Sequence, residues 1–93
     1  MQDTLSWQPG EHVVFSRLGD SVAVLDADRN IYYSLDGIGP FLWDRLAEGL
    51  DFSALCRATV SQFDIDEATA SRDIAEWIGE MTKSGLISER QSA

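Results

Sequence analysis

The chain of 93 residues is poor in the groups that chemistry usually draws on: one cysteine, one histidine, two prolines, and seven lysines and arginines against sixteen aspartates and glutamates. The single thiol, Cys56, excludes an internal disulfide, and its place among Phe52, Leu55 and Val60 at helical spacing reads as a small buried hydrophobe. His12, the one histidine, stands at the start of a strand pattern far from Cys56, and reads as a solvated side chain. No nucleophile–base pair and no nitrogen–sulfur ligand set can be built from these, so no catalytic residue, metal or cofactor is expected. The shortage of positive charge gives a formal net charge of -9. That field repels phosphate backbones and anionic headgroups, which removes nucleic acid and membrane from the expected partners and favours a basic or neutral peptide. Also missing are a secretory n- and h-region and any apolar run of spanning length, so a cytoplasmic location is the expectation.

What is present is ordinary for a folded protein, with 44% hydrophobic and 25% charged residues. A chain this short supports one core, so residues 1–93 are read as a single domain with an ordered part at about 11–88. The first dozen residues show no period and read as an irregular lead-in. His12–Arg17 and Ser21–Leu25 are short runs rich in β-branched residues, separated by Leu18-Gly19-Asp20, and a second turn covers Asp26 to Asn30. Ile31–Leu35 makes a third strand, with Ile31, Tyr33 and Leu35 on one face and Tyr32 and Ser34 on the other. Such a meander is not stable alone and needs helices against it.

The remaining chain supplies three. Asp36 is placed to cap the first, with Pro40 in its opening turn and Gly49 at its end. Asp51 caps the second, whose stripe is Phe52, Leu55, Cys56, Thr59, Val60 and Phe63. Asp66 begins the third, which carries Ile74, Ile78 and Met81 on one face, places Lys83 in its last turn and stops at Gly85. Leu86-Ile87 follows as an apolar tail. The expected fold class is α+β: a three-stranded antiparallel sheet followed by three helices, related to winged helix-turn-helix domains.

Local motifs for chemistry fail on spacing. Asp64-Ile65-Asp66-Glu67 lacks the glycine and closing glutamate of a calcium loop and reads as a helix start, and Gly37-x-Gly39 has neither a third glycine nor a following lysine. A DNA-reading helix would expose basic and amide side chains, whereas the third helix offers Asp73, Glu76 and Glu80 with Arg72 and Lys83 alone in opposition.

Two blocks carry a resemblance. Ile31-Tyr32-Tyr33-Ser34-Leu35-Asp36-Gly37-Ile38-Gly39-Pro40-Phe41-Leu42-Trp43 is similar to the PqqD-like pattern of a Tyr-rich strand followed by Leu-(Asn/Asp)-x-x-Gly-x-x-(Ile/Leu)-Trp, with Leu35, Asp36, Gly39, Leu42 and Trp43 matching. Asp73-Ile74-Ala75-Glu76-Trp77-Ile78-Gly79-Glu80-Met81, then Gly85-Leu86-Ile87, resembles the family's closing helix and its Gly-Leu-(apolar) end. The basic, proline-containing N-terminal pattern of the pyrroloquinoline-quinone protein itself is not evident, so a relative is favoured.

The resemblance implies a stand-alone recognition element for ribosomally made and modified peptides, with lasso-peptide biosynthesis as the first setting. In it, a precursor leader peptide adds as a strand along Ile31, Tyr32, Tyr33, Ser34 and Leu35 and lies against the third helix, while a leader protease or radical-SAM enzyme acts on the substrate. If Ile74, Ile78 and Met81 face the core, Ala70, Asp73, Trp77 and Glu80 occupy the adjoining face: Trp77 as apolar anchor, Ala70 leaving room, and Asp73 or Glu80 meeting a basic residue or amide. The spacing leaves Trp77 open between groove and core, places Trp43 among the helices, and leaves Arg72 mostly solvated. Two rival readings stay open, an acidic winged-helix regulator of DNA or a protein partner and a purely structural subunit, and so does the oligomeric state, since an open strand edge accepts a second copy as readily as a peptide.

Overall fold

A computed structural model of the chain describes residues 5–90. The element order is β1 (Trp7–Pro9), β2 (Val13–Leu18), β3 (Ser21–Asp26), β4 (Ile31–Leu35), α1 (Gly39–Ala47), α2 (Phe52–Phe63), α3 (Glu67–Lys83) and β5 (Ile87–Glu89). The three predicted strands are β2, β3 and β4, paired antiparallel in the order β2-β3-β4. Gly19 lies at φ 63 in the two-residue turn between β2 and β3, a left-handed conformation that glycine adopts without a Cβ clash. Asn30, at φ 58, closes the four-residue turn before β4. Asp26 organises that turn, its Oδ1 accepting from the amides of Asp28 and Arg29, each at 3.1 Å.

Register assigns the two faces of the sheet. Val22 opposes Leu35 and Val24 opposes Tyr33, and these rows turn toward the helices; Leu25 opposes both Val14 and Tyr32, a row facing solvent. Against the inner face, Leu42, Trp43 and Leu46 of α1, Leu55 of α2 and Ile74 of α3 are fully buried. Trp43 is therefore a core residue, meeting the Phe15 ring edge-on at a centroid distance of 5.2 Å. Arg17 and Asp44 make an ion pair that ties β2 to α1.

The helix starts follow local chemistry at two of three places. Asp51 Oδ1 accepts from the Ala54 amide at 2.9 Å and Asp66 Oδ1 from the Thr69 amide at 2.7 Å, each satisfying one of the free donors of a first turn. The first helix departs from expectation. Its N-cap is Ile38, with no side-chain cap, because Gly37 at φ 64 turns the chain and the Asp36 carbonyl takes the Gly39 amide at 3.0 Å. Pro40 still falls in the opening turn, where its missing N–H leaves no bond unmade.

The ends of the described chain correct the sequence reading most. The lead-in and the apolar tail are β1 and β5, paired antiparallel with Trp7 opposite Glu89 and Pro9 opposite Ile87. Trp7 and Ile87 are both buried in the main core. Cys56 is half-buried, with its sulfur 3.7 Å from the Ser71 hydroxyl, and Phe63, the last of the predicted α2 stripe, is 37% exposed and meets Phe41 edge-on.

Candidate functional site

The sheet has two outer strands, and their surroundings differ. Phe15 and Arg17 of β2 reach over to Trp43 and Asp44 of α1. Among the described residues β4 pairs with β3 alone, so its other edge offers backbone amides and carbonyls outside the sheet. The helix α3 packs against α2 and β5.

Two contacts fix how α3 runs relative to β4. The Trp77 indole Nε1 comes within 3.8 Å of where a Cβ on Gly39 would stand, and that same point is 3.3 Å from Leu35 Cβ. At the other end, Arg29, two residues before β4, lays its guanidinium over Gly85, two residues after α3, with Nη2 3.0 Å from the corresponding Cβ position. The end of β4 therefore lies by the middle of α3, and the start of β4 by its C-terminus. Trp77 thus faces the Leu35 end of β4, and the turn after α3 faces the turn that leads into β4, so edge and helix run antiparallel.

Of the residues expected on the strand, Tyr32 and Ser34 face solvent, Tyr32 at 62% exposure. Leu35 is buried and Tyr33 is half-buried against the core. Ile31 shares their face by alternation but lies at the margin, 40% exposed. On α3, Trp77 is half-buried, packed against the core, with its indole Nε1 reaching to the β4–α1 junction. Glu80 is exposed one turn further on, nearer Gly85. Asp73 lies about 6 Å along the axis in the opposite direction, past the Leu35 end, with Oδ1 3.6 Å from Arg72 Nε.

Ala70 does not lie on the surface beside Trp77 and Glu80. It has no exposed surface and belongs to the core, because Ala70, Ile74 and Ile78 succeed one another at i, i+4 and share one side of the helix. His12 is also unlike its expectation: it is half-buried, with Nε2 3.7 Å from Oδ2 of Asp26.

The described cavity, about 240 Å³, opens between α2 and α3 around Cys56, Arg57, Glu67 and Ser71, away from β4. A strand edge binds by backbone pairing along an open margin, so cavity size is no measure of it. Among the described residues there is no cluster of three or more His, Cys, Asp or Glu side chains able to hold a metal, and no helix long and apolar enough to cross a membrane. One carboxyl is clearly perturbed: the Thr69 backbone amide donating to Asp66 holds it below the usual aspartate value, aided by the Thr69 hydroxyl and by Arg72 against a small desolvation effect.

The fold is a three-stranded meander backed by three helices, with one strand edge unpaired among the described residues. Residues 21–87 match the profile of PqqD, Coenzyme PQQ synthesis protein D, and the chain belongs to that family. No curated protein matches it in sequence. Its fold is that of TbiB1, solved in complex with the TbiA(beta) leader peptide, with a TM-score of 0.85 at 22% identity over 91% of this chain and 99% of that one. It is likewise that of a lasso peptide synthetase B1 complexed with the leader peptide, with a TM-score of 0.83 at 17% identity over 89% of this chain and 98% of that one.

Proposed function

We propose that this chain binds the leader of a ribosomally made precursor peptide by strand addition to β4, and presents the substrate to a processing enzyme while catalysing nothing itself. The observation that carries the reading is the open β4 edge with Trp77 of α3 reaching to its end at Leu35 and Gly39. Backbone pairing along Ile31–Leu35 supplies affinity independent of sequence, and side chains at alternate leader positions turn either toward α3 or to solvent. On the α3 side, Trp77 gives an apolar anchor, and Glu80 and Asp73 favour a basic leader residue toward either end. Membership of the PqqD family supports the reading, as do the two similar folds solved with leader peptides.

Holding the leader raises the effective concentration of the attached core peptide at the enzyme's active site, which accelerates processing with no chemistry in the module. The enzyme classes consistent with this are a leader protease and a radical-SAM or other modifying enzyme, and the lasso-peptide setting is favoured by the two similar folds. The test is titration with a synthetic peptide carrying the leader of the precursor encoded beside this chain, followed by amide chemical shifts. Saturable binding with shifts along Ile31–Leu35 and around Trp77 is expected. Absence of binding, or shifts confined to the β2 edge, overturns the reading, and steep salt-sensitive binding to duplex DNA would favour a regulator instead.

A further inference from the structure

Among the described residues, Asp26 is the one carboxylate that is fully buried. It is the last residue of β3, and Oδ2 has no hydrogen-bond partner although Oδ1 holds two turn amides. A carboxylate removed from water needs nearby positive charge. Arg29 Nε lies 3.5 Å from Oδ2 and His12 Nε2 3.7 Å from it. These partners come from different parts of the chain: His12 from the turn that follows β1, whose carbonyl also accepts from the Ala27 amide at 2.9 Å, and Arg29 from the turn that precedes β4. The third chain segment at this point is the turn after α3. There Gly85, at φ 78, leaves room for the Arg29 guanidinium, and the Leu86 carbonyl accepts from the Gly10 amide at 3.0 Å.

From this we infer that Arg29 is a positioning residue for leader binding: a strut, held at its inner end by buried Asp26, that fixes how far the start of β4 stands from the C-terminal end of α3. The inference rests on the strand-addition reading above and extends it to a residue outside the strand and the helix. Each of its parts has a reason. Asp26 draws the guanidinium inward at Nε, and its Nη2 end then points at a backbone that carries no Cβ. A glycine at 85 is required twice, by its positive φ and by the 3.0 Å approach of Nη2, which a methyl group would block. The opposite end of the channel is held independently by Trp77 against Gly39 and Leu35. Fixing both ends means that an incoming strand meets an edge and a helix already correctly spaced, so little ordering is left for the binding step.

The experiment compares the full chain as wild type, Arg29→Ala, Asp26→Asn and the double variant. Asparagine keeps an oxygen for the two turn amides and replaces the charged acceptor that holds the guanidinium with an amide donor. In the free chains, residual dipolar couplings report the orientation of α3 relative to the sheet, and both single variants should change it while α1 and α2 keep their mutual orientation. With the synthetic leader peptide, each single variant should bind about tenfold more weakly, and the double variant no worse than either, because one interaction is being removed twice. An unchanged α3 orientation in Arg29→Ala, full leader affinity in that variant, or multiplicative losses in the double variant would each overturn the strut. If thermal melts show that Asp26→Asn is partly unfolded, Arg29→Ala and Arg29→Gln decide, since Arg29 is half exposed and its loss leaves the turn hydrogen bonds in place. Failure of the wild type to bind the leader would remove the leader-binding reading alone, and the dipolar couplings would still judge the strut.

Discussion

On the proposed reading, Trp77 joins stability to recognition in one side chain. Its ring packs partly on the core while its nitrogen edge reaches the β4–α1 junction, so replacing it removes a buried surface and a channel wall together. Trp77→Ala is expected to weaken leader binding by about 2 kcal/mol or more with the fold retained, since an aromatic anchor of this kind carries a large share of the binding energy. Calorimetric titration beside a thermal melt separates the two roles; an affinity loss no greater than the unfolded fraction explains would assign Trp77 to the core alone. Ala70 makes the converse case. The sequence periodicity that identified Ile74, Ile78 and Met81 as inward-facing was sound, but Ala70 lies four residues before Ile74 and shares its side. Ala70→Leu should therefore destabilise by about 1–3 kcal/mol through overpacking, read from the denaturation midpoint, and leave leader affinity of the folded fraction unchanged. Asp26 was legible only as a turn residue, because its burial depends on His12 and the Gly85 turn, which no local pattern connects to it.

At the level of elements, what could be read in advance was what local chemistry decides. Asp51 and Asp66 cap their helices as their positions predict, because a short acceptor before an apolar-periodic run reaches the amide three residues on. Asp51→Ala should lower stability by about 1 kcal/mol, seen as a fall in Tm. The cap at Asp66 also carries a pH dependence. Its carboxyl is held below the ordinary value in the folded chain, so the unfolded chain binds the proton more readily as pH falls. The cap's contribution is thus complete above about pH 4 and is lost on acidification through the lowered folded value. The Tm difference between wild type and Asp66→Ala should accordingly be constant near neutrality and shrink in acid; a difference that grows in acid would contradict the sign. Asp36 failed as a cap because the conformation of Gly37 is decided by the junction with β4, beyond the reach of a spacing rule. For β4 itself, the strand-addition reading predicts a period of two. Methylating leader backbone nitrogens one at a time should abolish binding at alternate positions and spare those between, as only every second amide faces the edge. Uniform losses along the leader would mean that side chains alone hold it.

Across the whole molecule, the feature hardest to foresee is the closure of the chain on itself. β1 and β5 are three residues each, rich in no strand signal, and 77 positions separate Pro9 from its partner at 87; pairing so distant leaves no trace in local periodicity. Yet this pair brings Trp7 into the core, and the Arg90 amide to the Ser6 carbonyl at 2.8 Å continues the ladder by one bond. It also places the turn after β1 and the turn after α3 side by side, with Gly10 donating to Leu86, which is where Arg29 finds its seat at Gly85. Trp7→Ala should therefore do more than leave a hole. By volume alone it is expected to destabilise by about 3–5 kcal/mol, a fall in Tm of more than 10 °C for a domain of this size. Because β1 and β5 pair with each other, the loss should be felt by both: amide exchange should quicken at Gln8 and at Ser88 together, and at Gly85 beside them. The helix cap at Asp66, whose bond is local, should exchange at a rate set only by the lower global stability, whereas the Phe52 amide, which donates to the Leu5 carbonyl beside β1, should quicken with the ends. Faster exchange confined to the β1 side would mean that β5 is held by α3 and the core without its partner, and that the seat for Arg29 does not depend on the joined ends.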